Sequence, residues 1–262
     1  MTFSLTVLGN SAAIPAHNRN LSAHLLNANE RFFLIDCGEG TQFQLRRYKL
    51  SFQRIRHILI SHLHGDHFFG LIGLLNSMHL LGRKEPLTLY GPSRLREIIT
   101  LQLEVSETML NYPVHFIPLQ EGSCTLILDE ERISVHSFPL NHRVPTWGFV
   151  FREKNPPRKI SRARSYAYCS DTAYAPEIVP WIKDVGVIYH EATFMESMKQ
   201  AAADKFHATA MQAAMIAAKA EAGKLLLGHF SARYDDLTPL LLEARSVFKE
   251  SYLAGEGIAI PL

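Results

Sequence analysis

The chain has 262 residues, 47% hydrophobic and 20% charged, with a formal net charge of +2. Such a length and balance describe a soluble globular protein able to bury a sizeable core. The near-neutral charge gives no whole-molecule attraction to nucleic acid, so any RNA binding must come from local basic patches.

The N-terminal stretch Phe3 to Leu8 alternates apolar and polar residues and reads as a half-buried strand, without the basic flank and long apolar core of a signal peptide. Leu21 to Asn27 and Arg31 to Ile35 read as a hairpin turning near Asn29. Ile55 to Ile60 is a strand-length apolar run, Asp66 to Leu81 reads as one buried helix stopped by Gly82, and Leu87 to Tyr90 is a further strand before a helix over Ser93 to Leu103. The second half alternates in the same way. Strands are expected at Val114 to Pro118, Thr125 to Leu128, Ile133 to Pro139, Trp147 to Arg152, Tyr166 to Cys169 and Val185 to Tyr189. An alanine-rich helix over Thr209 to Ala222, a strand at Lys224 to Leu227 and a last helix over Leu237 to Tyr252 complete the chain. No sequence repeat, linker or membrane-length apolar stretch interrupts it, so a single α/β domain over 1–262 is expected. Cys37, Cys124 and Cys169 are widely spaced and odd in number, which points to reduced thiols in a cytoplasm rather than disulfides or a thiolate metal site.

Chemistry concentrates in His62-Leu63-His64-Gly65-Asp66-His67. A buried strand delivers the chain to this loop. Two histidines spaced by one residue can face one point, and Asp66 and His67 open the next helix, where its dipole favours a carboxylate. Imidazole nitrogen with carboxylate oxygen suits Zn²⁺, with Mn²⁺ or Fe²⁺ as alternatives.

The His-x-His-x-Asp-His run resembles the signature of the metallo-β-lactamase superfamily. Asp36 to Gln42, Ile60-Ser61-His62, His190-Glu191-Ala192-Thr193-Phe194 and His229 to Tyr234 narrow the resemblance to the ribonuclease Z family, endonucleases that trim the 3′ trailer from precursor tRNA. The resemblance implies a metallo-β-lactamase fold, an αββα sandwich of two mixed β-sheets flanked by helices. It implies two divalent ions, one held by His62, His64 and His142, the other by Asp66, His67 and His229, with Asp171 bridging. It further implies a metal hydroxide that attacks the phosphodiester, oriented by Asp66, and a proton donated to the leaving oxygen by His207 under the control of Glu191. A general or cyclic-nucleotide phosphodiesterase with the same binuclear site is the alternative.

Pro15 to Asn20 resembles the family loop that reads the tRNA 3′ end, with Arg19 and Asn20 matching and His17 in place of a basic residue. Arg233, Thr209 and Ser231 are candidate phosphate contacts. The family's long tRNA-gripping arm is reduced here to a basic stub, Phe151 to Arg164, in which Arg158, Lys159, Arg162 and Arg164 are candidate phosphate ligands. The family's members are usually homodimers, and the apolar excess along Phe68, Phe69, Leu71, Ile72, Leu74, Leu75 and Met78 suits a dimer face or a core helix equally.

Overall fold

The structure is a computed structural model that describes residues 2–155 and 164–262. Two compact units partition the chain, residues 1–119 with 256–261, and residues 120–255 with Leu262.

The first unit carries β1 (Phe3–Gly9), β2 (Ala23–Ala28), β3 (Arg31–Ile35), α1 (Thr41–Arg47), β4 (Ile55–Leu59), α2 (Gly65–Phe68), α3 (Leu71–Leu80), β5 (Leu87–Gly91), α4 (Leu95–Val105) and β6 (Val114–Pro118). A C-terminal strand, β14 (Ala259–Pro261), completes its sheet in the order β14-β1-β2-β3-β4-β5-β6. Pairings are antiparallel as far as β3 and parallel from β3 to β6. The expected hairpin forms, and Asn29 and Glu30 take φ of 54° and 68° between its strands, the left-handed pair that a two-residue turn matched to sheet twist requires. Leu25, Leu34, Ile58 and Leu89 from the strands pack with Leu74, Leu75 and Met78 of α3 in the core of this unit.

The single helix expected over Asp66 to Leu81 is two helices, interrupted at Phe69 and Gly70. At Gly70 the chain presses against the β3–α1 loop: its N–H donates to Cys37 O at 2.9 Å, and a Cβ there would lie 2.2 Å from Gly38 O. Continuous apolar periodicity hid this close backbone approach. Gly82 does stop α3, with its N–H on His79 O and that of Arg83 on Met78 O, the paired bonds of a Schellman cap. Of the seven apolar residues considered for a dimer face, Leu71, Leu74, Leu75 and Met78 are core, while Phe69 is exposed.

The second unit carries β7 (Thr125–Asp129), β8 (Ile133–Leu140), β9 (Thr146–Glu153), β10 (Ser165–Cys169), β11 (Val187–Glu191), α5 (Lys199–Asp204), α6 (Ala210–Lys219), β12 (Lys224–Gly228), α7 (Thr238–Val247) and β13 (Ser251–Leu253). Its sheet runs β7-β8-β9-β10-β11-β12-β13, antiparallel to β10 and parallel beyond it. β10 and β11 are buried along their whole length, which suits their apolar runs Tyr166 to Cys169 and Val187 to Tyr189. Alanines 210, 213, 214 and 217 give α6 a small-residue face packed among Ile188, Leu225 and Leu227. The helix expected over Leu237 to Tyr252 ends at Val247, because Ser251 to Leu253 pair with β12 instead. The three cysteines are free thiols, Cys37 and Cys169 buried.

Candidate functional site

In the first unit the polar side chains gather where the parallel strands β3 and β4 end, and in the second they end or follow β10, β11 and β12 and, for His142, follow the antiparallel β8. In the first unit, β4 delivers the chain to Ser61, the loop carries His62 and His64, and Asp66 and His67 open α2, as the motif requires. His62 Nε2 lies 3.1 Å from His64 Nδ1, and His67 Nε2 lies 3.5 Å from Asp66 Oδ2, so four donor side chains come from one short stretch. Asp36, at the end of β3, organises them. Its carboxylate accepts the Ser61 N–H at 2.7 Å and the Ser61 hydroxyl at 2.8 Å, and faces His67 Nδ1 at 2.7 Å. With Nδ1 held this way, His67 keeps Nε2 for a ligand. Ser61 Oγ likewise lies 3.0 Å from His62 Nδ1. His24 is buried nearby, and that burial, with His67 beside it, pushes its imidazole down to about 3 and keeps it neutral.

The second unit collects its site from separate strand ends. His142 follows β8, Asp171 follows β10, Glu191 ends β11 and His229 follows β12. The two oxygens of Asp171 are divided between histidines: Oδ1 lies 3.2 Å from His229 Nε2, and Oδ2 lies 3.9 Å from His142 Nε2. Each histidine is fixed by its other nitrogen, His142 Nδ1 at 2.9 Å from Phe206 O and His229 Nδ1 at 3.0 Å from Thr193 Oγ1. Burial pushes the His142 imidazole down against the pull of Asp171, favouring the neutral ring that coordinates metal. Asp171, His207 and His229 offer donor atoms within 4.8 Å of one another. A buried carboxylate presenting one oxygen to each of two oriented imidazoles is a donor set that fits divalent metal.

Glu191 is fully buried and takes five donors. Oε1 accepts the N–H groups of Thr172 at 3.1 Å and Ala208 at 3.0 Å and faces His207 Nδ1 at 2.8 Å. Oε2 accepts the N–H of Thr193 at 3.0 Å and its hydroxyl at 2.7 Å. Burial alone raises this carboxyl, but the charge and hydrogen bond of His207 outweigh it and hold the group below the usual range. An ionised carboxylate so saturated fixes the His207 imidazole by its Nδ1.

The substrate candidates are engaged in different ways. Asn20 donates its side-chain amide to Glu256 at 2.8 Å. Thr209 caps α6, accepting the Gln212 N–H at 3.1 Å and donating to Glu196 at 2.5 Å. Arg233 lies over the Phe194 ring, 4.9 Å from its centroid, with Nε on Ser231 Oγ at 3.1 Å. In the stub, Arg164 forms a paired contact with buried Glu153, its Nε at 2.7 Å from Oε2, so this cation already has a protein partner. Arg158, Lys159 and Arg162 lie outside the described residues. Asp36, Ser61 and Thr193 lay inside the family motifs without a role of their own, and Glu256 lay in none. Asp36 also carried a local signal, an acid directly after a buried strand, as Asp171 nearly does.

Against known proteins, the chain is 44% identical to ribonuclease Z of Cytophaga hutchinsonii, covering 98% of this chain and 95% of that one. The chain belongs to the ribonuclease Z family. Ribonuclease Z of Bacteroides thetaiotaomicron is 40% identical over 99% of this chain and 95% of its own. Human tRNase Z, short form, is 34% identical, with a TM-score of 0.83 over 99% of this chain and 100% of that chain. A family model described as Anti-Pycsar protein Apyc1 also matches residues 3–240, and the chain falls within that family too. A metallo-β-lactamase fold protein from Bacillus subtilis, 22% identical, superposes with a TM-score of 0.79 over 99% of both chains. The metallo-β-lactamase fold expected from the motifs, two mixed seven-stranded sheets flanked by helices, is the fold of this chain, and the reading as a hydrolytic enzyme stands with it. The Cytophaga alignment runs over 298 residues against 262 here, so that relative carries residues with no counterpart in this chain.

Proposed function

We propose that the chain is a metal-dependent endoribonuclease that removes the 3′ trailer from precursor tRNA, working as one catalytic domain in the cytoplasm. The near full-length identity to proteins named ribonuclease Z carries this reading and favours it over a small or cyclic phosphodiester substrate. No helix among the described residues is long and apolar enough to cross a membrane.

His62, His64 and His142 would hold one divalent ion, Asp66, His67 and His229 a second, and Asp171 both, with zinc the expected metal. Such a pair, when bound, supplies the Lewis acidity that activates water and neutralises charge on the phosphodiester. The chain's own groups do the rest. Asp36, Phe206 O and Thr193 aim the imidazoles. Glu191 holds His207 by Nδ1 and leaves Nε2 to carry the proton that the departing oxygen takes. Asp66 orients the attacking water, and its Oδ2 accepts the Ala13 N–H at 2.8 Å, tying the ligand loop to the segment bearing Arg19. Arg19 and Asn20 of the first unit and Thr209, Ser231 and Arg233 of the second are the candidate RNA contacts. The exposed side chains Phe69, Leu101, Val105 and Met109 suit a homodimer contact, which sedimentation would report.

The deciding experiment incubates the purified chain with a trailer-bearing tRNA precursor and, in parallel, with a small phosphodiester. Cleavage at the trailer junction, abolished by chelation, is the expected result. Hydrolysis of the small diester with the precursor left intact would overturn the tRNA reading.

A further inference from the structure

The segment from Ser11 to Leu21 is a pinned loop with a hairpin at its tip. Ser11 and Leu21 form an isolated parallel bridge at its base, and the Ser11 N–H donates to Asn20 O at 2.8 Å. At the tip, the Arg19 N–H donates to Ala16 O at 2.8 Å and the Ala16 N–H to Arg19 O at 3.3 Å. His17 and Asn18 are therefore the central residues of a two-residue turn, with φ of 50° and 60°. That left-handed pair suits Asn and Gly best, and a turn that places histidine there is steadied when its flanks are pinned.

Both flanks are. Towards the N-terminal side, Ala13 is tied to Asp66. On the other, Glu256 Oε1 accepts the Asn20 N–H at 2.7 Å, while Oε2 accepts Asn20 Nδ2 at 2.8 Å and Gln44 Nε2 at 3.1 Å. The Asn10 N–H also reaches this carboxylate. Glu256 is itself fixed: it bridges to Val7, and the Gly257 N–H donates to Val7 O at 2.8 Å. Gln44 is locked in turn by Leu8 O at 3.0 Å. A partly buried carboxylate that collects this many donors is costly to place unless its partners must stay put.

We propose that Glu256 is a positioning residue for RNA recognition, locking Asn20 so that the hairpin holds Arg19 in fixed register with Asp66. The proposal rests on the reading that this hairpin meets precursor RNA. It gives the Asn20 side chain a positioning role in place of a direct RNA contact, as the joint between hairpin and carboxylate.

Glu256→Gln in the full chain keeps the size of the side chain and removes its charge. Hydrogen exchange followed by mass spectrometry should show residues 11–20 exchanging about tenfold faster, with β2, β3 and the melting temperature unchanged. KM for precursor tRNA should rise about tenfold while kcat changes little. Asn20→Ala should do the same, and the double variant should lose no more than the worse single one. Unchanged exchange in the hairpin would overturn the proposal. So would faster exchange with unchanged KM, or a joint fall of kcat and melting temperature, which would make Glu256 a staple of the fold only. If the wild-type chain cleaves no precursor tRNA, the functional reading fails on its own, and the exchange experiment still decides whether Glu256 holds the hairpin.

Discussion

The two units share one plan and use it differently. Each sheet makes three antiparallel pairings followed by three parallel ones, and each places an acid just beyond the strand where the pairing changes, Asp36 after β3 and Asp171 after β10. Each also carries most of its chemistry at the C-terminal ends of parallel strands, where open α/β sheets generally bind ligands, with His142 after the antiparallel β8 the exception. In the first unit a single strand end supplies four candidate ligands, and Asp36 turns away to support His67 and Ser61. In the second unit the ligands come from three strand ends, and Asp171 faces His142 and His229 itself. Equivalent acids have thus become a support in one half and a candidate ligand in the other. What a carboxylate does at a strand end depends on which imidazole nitrogen it meets: Nδ1 already held, or Nε2 left open.

Exchanging the two acids for alanine tests that contrast. Asp171→Ala should have the largest effect, releasing most bound transition metal and lowering turnover on the order of 10⁴-fold or more, as elemental analysis and steady-state rates would record. His207→Ala comes next. It should keep its metal and lose about 10²–10⁴-fold on RNA, yet recover much of the rate on a nitrophenyl phosphodiester, whose leaving group needs no proton. Equal loss on both substrates would take the proton-donor role from His207. Asp36→Ala should be milder, weakening metal affinity about 10–100-fold in a chelator competition, because it removes support for a ligand and not the ligand. An Asp36 variant as poor as the Asp171 variant would erase the distinction between the halves.

The same contrast governs what could be read from sequence. His62, His64, Asp66 and His67 stand out because one short stretch of chain carries them all. His142, Asp171 and His229 are single residues after ordinary strands, and only resemblance to a family joined them. Asp36, Thr193 and Glu256 act through partners distant in the chain, up to 236 residues from Asn20 to Glu256, and no local pattern marks such a pair. Strand positions were legible from apolar runs, but sheet order was not. β13 and β14, three residues each, are too short for any periodicity. The break at Gly70 arises from the close approach of Gly38, which helical spacing does not encode.

The smallest expected effect concerns the basic stub of the second unit. Its described cations are already engaged: Arg152 donates to Trp181 O at 3.2 Å and Lys183 O at 3.0 Å, Lys154 pairs with Asp129 at 2.6 Å, and Arg164 pairs with Glu153. Arg164→Ala would take this cation from the buried Glu153 carboxylate and cost about 3 kcal/mol of stability, read as a lower melting temperature with little change in KM. Arg158, Lys159 and Arg162 remain the candidates for RNA phosphate. Replacing those three with alanine should raise KM for precursor tRNA several-fold and flatten its salt dependence, since every phosphate that goes unneutralised takes roughly one unit off the logarithmic slope. Hydrolysis of a small phosphodiester should not change, because that substrate is too short to reach them. An unchanged KM and slope would make the stub a solvated loop and move phosphate binding to the first unit, where the exposed Arg46, Arg47 and Lys49 close and follow α1.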